Sequence, residues 1–291
     1  MGTGPSDVGR VRPASVVAAA SLVGLVTLGL YLTTSRDEVD APADGRPARR
    51  AEGIRQALFA ELQPVALANC TPERFGEAND GGYVMCANLL DGVEAGYSYG
   101  ISGYDGWGCA VSTRLGVRVH QYDCFDTRAT TCATGDLAFH AECVAGSTYD
   151  DAERHRFDTV ARQLARNGDA GRHLVVKMDV EGAEWDALAA LPHETLARID
   201  QLVVEFHQVQ EERFIGVLRR LKAHFHVVNV HYNNYSCDPA LAPFPAWAYE
   251  VLFVNKRIAR VDPSGRPLGA SHPLNAVNAL HLPDCQPTPV S

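Results

Sequence analysis

Seven short runs rich in Val, Phe and Tyr recur along the chain with amphipathic stretches between them, and this alternation limits the fold more than any other feature. The runs are "AGYSYG" (Ala95 to Gly100), "VRVHQY" (Val117 to Tyr122), "LAFHAECV" (Leu137 to Val144), "HLVVKM" (His173 to Met178), "QLVVEF" (Gln201 to Phe206), "FHVVNV" (Phe225 to Val230) and "YEVLFV" (Tyr249 to Val254). Each has the length and composition of a strand. Between them, "DDAERHRFDTVARQLARNG" and "VQEERFIGVLRRLKAH" space their apolar residues as helices do. Strand, helix, strand in repetition predicts a mostly parallel α/β sheet with helices on both faces. The last two runs are joined by Asn/Pro-rich "HYNNYSCDPALAPFPAWA", which has no helical pattern, so the final strand is expected to return antiparallel. The expected fold is a seven-stranded, Rossmann-like α/β sheet. No internal repeat or second domain boundary interrupts it, and 291 residues with 46% hydrophobic content supply a full core.

The N-terminus differs from the rest. "SVVAAASLVGLVTLGLYL" (Ser15 to Leu32) is almost wholly apolar, with Arg10 and Arg12 before it and Asp37, Glu38 and Asp40 after it. Residues 15–34 are expected to form a transmembrane signal-anchor helix after a short tail, 1–14. Residues 35–55 read as a solvated linker and 56–291 as the folded domain. The leading arginines place the tail in the cytoplasm and the domain on the non-cytoplasmic side, lumenal or periplasmic. Secretion after signal cleavage is the rival, since small residues follow the apolar run, although that run exceeds a usual signal core.

A net charge of −9 and the lack of a Lys/Arg stripe argue against nucleic-acid binding. The eight cysteines fit an oxidising compartment without fixing any pairing, and buried free thiols with one or two disulfides would satisfy the count. Neither CxxC nor zinc-finger spacing occurs. "NCT" at Asn69 and "NYS" at Asn234 match the glycosylation sequon.

In such sheets ligands gather at the carboxyl ends of the strands, near the point where strand order reverses. The first strand runs into "YGISGYDGWG", where glycines such as Gly100 and Gly103 let backbone approach a ligand and open a helix toward it. The second ends at Asp123, placed to accept hydrogen bonds from ribose hydroxyls of a nucleoside cofactor, with Asp126 as the runner-up. The fourth ends in "VVKMDVEGAEWDAL", whose Asp179 and Glu181 would face the crevice, while Glu184 and Asp186 suit a first helical turn. Alternation sends Glu205 and His207 of the fifth strand to one side, and His231, Asn233 and Asn234 end the sixth. "DGGYV" at Asp80 to Val84 predicts a tight hairpin capping the cofactor site.

These stretches together resemble a known group. "VVKMDVEGAEWDAL" looks like the K-I-D-V-E-G-A-E signature of FkbM-type S-adenosylmethionine-dependent methyltransferases. "DGGYVMC", "YSYGISG", "VHQYD", "EFHQ" and "VHYNN" resemble a methyltransferase-like branch, many of whose members carry an N-terminal membrane segment. The resemblance spans roughly Phe75 to Asn255 and implies a class I methyltransferase fold. It further implies Gly100 and Gly103 near the methionine part of S-adenosylmethionine, Asp123 on its ribose, and Asp179 near the transferred methyl group. The glycine loop departs from the family pattern in lacking an acid two residues before Gly100.

Methyl transfer to a hydroxyl needs close alignment and a way to remove the hydroxyl proton. His207 is the first candidate base and His231 the second. Alternatively Asp179 and Glu205, with Glu181 or His207, would hold a Mg²⁺-like ion. Sugar O-methyltransferases resembling this class include metal users. The expected acceptor is a sugar, glycan or other small hydroxyl-bearing molecule. The competing expectation is a non-catalytic, membrane-anchored binding or scaffold module with a degenerate methyltransferase fold.

Overall fold

The computed structural model describes residues 46–269 and 271–285. The expected tail and membrane span, residues 1–34, lie outside the described residues; among those described, no helix is long and apolar enough to cross a membrane.

Helix α1 (Arg46–Glu61) precedes a hairpin of β1 (Pro72–Gly76) and β2 (Gly82–Cys86). Then come β3 (Ala95–Tyr99), α2 (Gly106–Leu115), β4 (Arg118–Tyr122) and β5 (Asp136–His140). Three short strands follow, β6 (Cys143–Val144), β7 (Tyr149–Asp150) and β8 (Arg156–Asp158), before α3 (Val160–Asn167) and β9 (Leu174–Met178). The chain continues through α4 (Glu184–Ala190), α5 (His193–Arg198), β10 (Ile199–His207), α6 (Glu212–His224), β11 (Phe225–Tyr232) and β12 (Ala248–Asn255).

All seven expected runs enter one sheet, ordered β11-β12-β10-β9-β3-β4-β5. Strands β5, β4, β3, β9 and β10 are parallel, and β12 inserts antiparallel between β10 and β11. This is the Rossmann-like class I methyltransferase sheet that the sequence predicts. The order reverses between β3 and β9, which puts the ligand crevice there. The run "LAFHAECV" divides after His140, and its tail, β6, joins β8 and β7 in a separate small sheet.

Alternation along the strands builds two cores. Tyr97, Tyr99, Val176, Met178, Val204 and Phe206 pack with residues of α1, α3, α4, α5 and α6 on one face. Val119, Val175, Val203 and Leu252 face α2 and the β1–β2 hairpin on the other. With α2 covering only part of that second face, the hairpin and the C-terminal segment cover a row of polar side chains. Helix α2 is capped by Asp105, which accepts from the Gly108 amide, and it stops at Gly116.

Three expectations need correction. The linker read over 35–55 is helical from Arg46, because Pro47 suits a first turn and Leu58 and Leu62 bury in the core, while Glu61 pairs with Arg219 and Lys222 of α6. All eight cysteines are paired, as Cys70–Cys86, Cys109–Cys132, Cys124–Cys143 and Cys237–Cys285. The Asn234 sequon is sealed: its buried amide donates to the carbonyls of Ala279, Leu282 and Pro283 and accepts the Ala279 amide. The Asn69 side chain is engaged too, donating to the Ile258 carbonyl and accepting the Arg260 amide.

Candidate active site

Backbone strain marks the crevice. Ser102 (φ 48°), Glu181 (φ 54°) and Gln208 (φ 72°) hold positive φ just beyond the ends of β3, β9 and β10. Such conformations cost about 1–3 kcal/mol each and persist where the surroundings enforce them. Gly100 (φ 74°) ends β3 so close to β9 that a Cβ would lie 1.6 Å from the Asp179 carbonyl oxygen. Lys177, buried beneath this crossing, donates to the carbonyls of Tyr99 and Gly100, and its ammonium is 3.6 Å from Asp179 Oδ2.

A cavity of about 390 Å³ opens between the ends of β3, β4 and β9 and the small sheet, within the range of small-molecule pockets. Gly100, Asp123, Asp179 and Glu181 line its polar side; Phe125, Val144 and Phe157 line its apolar side. Phe125 is 71% exposed, leaving an aromatic face open beside Phe157. Gly103 is absent from this lining. Its φ of 76° shapes the turn, and a Cβ there would meet the Arg128 and Asp126 side chains.

Asp123 ends β4 as expected and staples two loops. Its Oδ2 accepts the amides of Ile101 and Ser102, and its Oδ1 accepts those of Phe125 and Asp126. Asp126 also reaches the cavity, but it is paired with Arg128, whose hydrogen bonds pull its carboxyl down to about 2.

Beside the cavity, ligand atoms of Asp179, Glu205 and His207 lie within 4.8 Å of one another. Tyr83, from the hairpin, donates to Asp179 Oδ2 at 3.1 Å. Glu205 is buried and accepts from Asn233 at 2.7 Å. Burial, then the charges of Asp179 and Glu250, push its carboxyl well above the usual range, against the Asn233 bond. His207 donates its backbone amide to Glu184 Oε1, and its Nδ1 lies 3.1 Å from the same oxygen. Burial works to lower its pKa, but the bond to Glu184 and the charges of Glu184, Asp179 and Glu181 prevail and raise it. Its Nε2 points toward Glu181 at 3.4 Å and Glu205 at 3.9 Å.

Two carboxylates and an imidazole at this spacing could bind one divalent cation together, since ligand atoms bound at about 2.0–2.6 Å stand no farther apart than about 5 Å. The nitrogen donor suits Mn²⁺, Fe²⁺ or Zn²⁺ better than the Mg²⁺ expected, which favours oxygen alone.

His231 belongs elsewhere. It pairs with Glu250 at 3.2 Å and is 1% exposed, and Asn278 of the C-terminal segment donates to both Glu250 and Asp80. The segment shuts the second candidate base away from any acceptor. The hairpin forms as expected, with a longer loop, Glu77 to Gly81, than a two-residue turn.

Three residues at the site escape the sequence reading: Glu184, Tyr83 and Trp247. Glu184 is fully buried against His207, where helix-dipole chemistry predicts a solvated carboxylate. No local signal marked it, since Glu181, three residues earlier, is exposed and precedes the helix.

Strand order and crevice together define a methyltransferase-like α/β fold. No protein-family model and no curated protein matches the chain. Among solved structures it is similar to a predicted O-methyltransferase from Agrobacterium tumefaciens, with 15% identity, covering 66% of this chain and 98% of that one, at a TM-score of 0.31. A likeness that low carries no argument about activity.

Proposed function

We propose that the chain is an S-adenosylmethionine-dependent O-methyltransferase acting on a sugar, glycan or other small hydroxyl-bearing acceptor. The observation that carries this reading is the cavity at the β3–β9 switch point, lined by Gly100, Asp123 and Asp179 and adjoining His207. Gly100 admits the methionine part, Asp123, whose lone pairs are taken by four backbone amides, holds the two loops that flank the ribose, and the Phe125–Phe157 side takes the adenine. S-adenosylmethionine supplies an electrophilic methyl group. His207 Nε2 receives the acceptor's proton, and Glu184 fixes the ring and stabilises the imidazolium that results.

In the second arrangement, Asp179, Glu205 and His207 hold a divalent cation, which supplies acidification of the hydroxyl. The ligand atoms of Asp179, Glu205 and His207 within 4.8 Å support it, as does the Glu205 carboxyl, raised first by burial and then by Asp179 and Glu250, because a cation would offset both.

A non-catalytic binding module is the alternative function, favoured by Asp123 already accepting four backbone amides. Calorimetric titration of S-adenosylmethionine and S-adenosylhomocysteine into the purified chain, with Asp123→Ala, and with EDTA or Mn²⁺, separates these. Binding lost in Asp123→Ala is expected, and a metal-dependent rate selects the second arrangement. A folded wild type that binds neither nucleoside selects the module.

In this reading residues 15–34 anchor the protein and the domain is non-cytoplasmic. Four disulfides support that placement. Protease protection in sealed membranes tests it.

A further inference from the structure

We propose that Trp247 is the platform on which the acceptor lies, and that this acceptor is an uncharged saccharide ring; the inference rests on the methyltransferase reading and names its substrate class.

The chain has three tryptophans, and two are core residues. Trp107 and Trp185 are each 1% exposed, with their indole N–H groups on Met85 Sδ and the His207 carbonyl. Trp247 is 43% exposed. Leaving so large an apolar ring open forgoes burial that a core tryptophan would supply.

Its backbone is nevertheless firmly held. The Trp247 amide donates to the Ser236 carbonyl, and its own carbonyl accepts the amide of Gln208 at 2.7 Å. Gln208 is one of the strained positive-φ residues, so the turn after β10 is bent in the conformation that makes this bond. A Cys237–Ala246 bridge and the Cys237–Cys285 disulfide brace the same loop. The indole is thus exposed on a rigid support, which is the form of a preorganised contact rather than of a mobile loop.

Its position gives the chemistry. The Trp247 ring centroid is 6.0 Å from that of His207, the proposed base, tilted by 41°. Beyond His207 stand Glu181 and Glu205, and Asp179 lies within 4.8 Å of the His207 and Glu205 ligand atoms. One apolar plane therefore borders a fringe of imidazole and carboxylate groups. A pyranose has the complementary form: a face of C–H bonds to lie on the indole, and hydroxyls at its edge to bond the fringe. The carboxylates of Asp179 and Glu181 disfavour an anionic acceptor by like-charge juxtaposition. A cationic acceptor would use both the indole and the acids, and the test distinguishes it.

Because the other tryptophans are buried, acrylamide quenching of intrinsic fluorescence reports on Trp247 alone. The full chain, with saturating S-adenosylhomocysteine, is titrated with a panel of methyl glucosides, galactosides and mannosides, and separately with tetramethylammonium. At least one glycoside is expected to protect Trp247 from acrylamide. Calorimetry on Trp247→Ala should then show that glycoside bound about tenfold more weakly, the size of one aromatic contact, with S-adenosylhomocysteine affinity unchanged. Nucleoside binding with no glycoside protection overturns the platform and leaves the methyltransferase reading standing. Protection by tetramethylammonium alone also overturns it. If the nucleoside does not bind, that reading falls, and the same titration still decides the saccharide site by presence or absence of protection.

Discussion

Glu184 accepts the backbone amide of His207 at 2.7 Å and stands 3.1 Å from Nδ1 of the same ring, so one fully buried carboxylate fixes both the position and the orientation of the imidazole. Its other oxygen accepts the Gly182 amide at 2.9 Å, which ties the strained turn after β9 to the end of β10. Glu184→Gln keeps the shape but removes the charge that favours Nδ1–H. Methyl transfer, or metal affinity, should fall about 10- to 100-fold, the usual cost of losing a group that orients a reacting histidine. S-adenosylhomocysteine affinity should not change. Calorimetry and single-turnover rates on the two proteins check this, and equal rates would remove Glu184 from the mechanism.

Gly100→Ala places a Cβ against the Asp179 carbonyl oxygen in a residue whose φ is 74°. The left-handed conformation alone costs a non-glycine residue about 1–2 kcal/mol, before any clash is relieved. We expect lower stability by urea titration and lost nucleoside binding, because relief requires β3 and β9 to separate at the crevice. Gly116→Ala is the control. It is also left-handed, but its Cβ meets no atom within 4 Å, so it should lose stability and keep nucleoside binding.

The paired histidines of the opposite face, His120 buried and His140 half-buried, predict a pH dependence. His120 Nε2 lies 3.2 Å from Asp169 Oδ2 and Nδ1 lies 3.0 Å from His140 Nε2. Burial pulls the His120 ring down to about 4, against the attraction of Asp169. The unfolded ring, at its ordinary value near 6.5, therefore takes up its proton first as pH falls. Stability is fully present above about pH 6.5 and drops progressively toward about pH 4. His120→Gln should flatten that decline, leaving the weaker contribution of His140, which shifts in the same direction. Urea titrations at about pH 7, 5.5 and 4 check it, and parallel curves would contradict it.

Asn234 should carry no glycan despite its sequon, because its amide is buried and serves three carbonyls. Asn234→Gln expressed through a eukaryotic secretory pathway should leave the glycosidase-sensitive mass shift unchanged, and it should lower the melting temperature by loosening the C-terminal segment. A mass difference at this position would show the segment opening before the folded state closes.

The strand pattern was legible because every central strand is a short apolar run, and a parallel sheet buried on both faces demands that. The convergence of Asp179, Glu205 and His207 was legible for a related reason: strand ends at a switch point must meet. His231 looked equivalent, since it also ends a strand. What shuts it away is Asn278, 47 positions later in a segment with no periodicity, and long-range coverage of that kind leaves no local mark. Glu250 was hidden inside "YEVLFV", where a single charge in a buried strand was the available signal. Disulfide pairing was not legible either, because spacing along the chain does not determine which cysteines the fold brings together.

Cys124 follows Asp123 directly, and its disulfide partner Cys143 lines the cavity, so this bridge joins the end of β4 to the small sheet across the proposed nucleoside site. The 19-residue separation predicts a loss of about 3 kcal/mol when the bridge is removed, from the entropy returned to the unfolded chain. Cys124→Ala with Cys143→Ala should lose that much by urea titration. It should also bind S-adenosylhomocysteine more weakly, since Phe125 and Val144, each next in sequence to one of the two cysteines, both belong to the apolar lining. The Cys70→Ala, Cys86→Ala pair closes a loop of similar length, 16 residues, in the hairpin region instead. It should cost comparable stability while leaving nucleoside affinity as in the wild type. Equal affinity losses in the two double variants would mean that the Cys124–Cys143 bridge supports the fold without shaping the site.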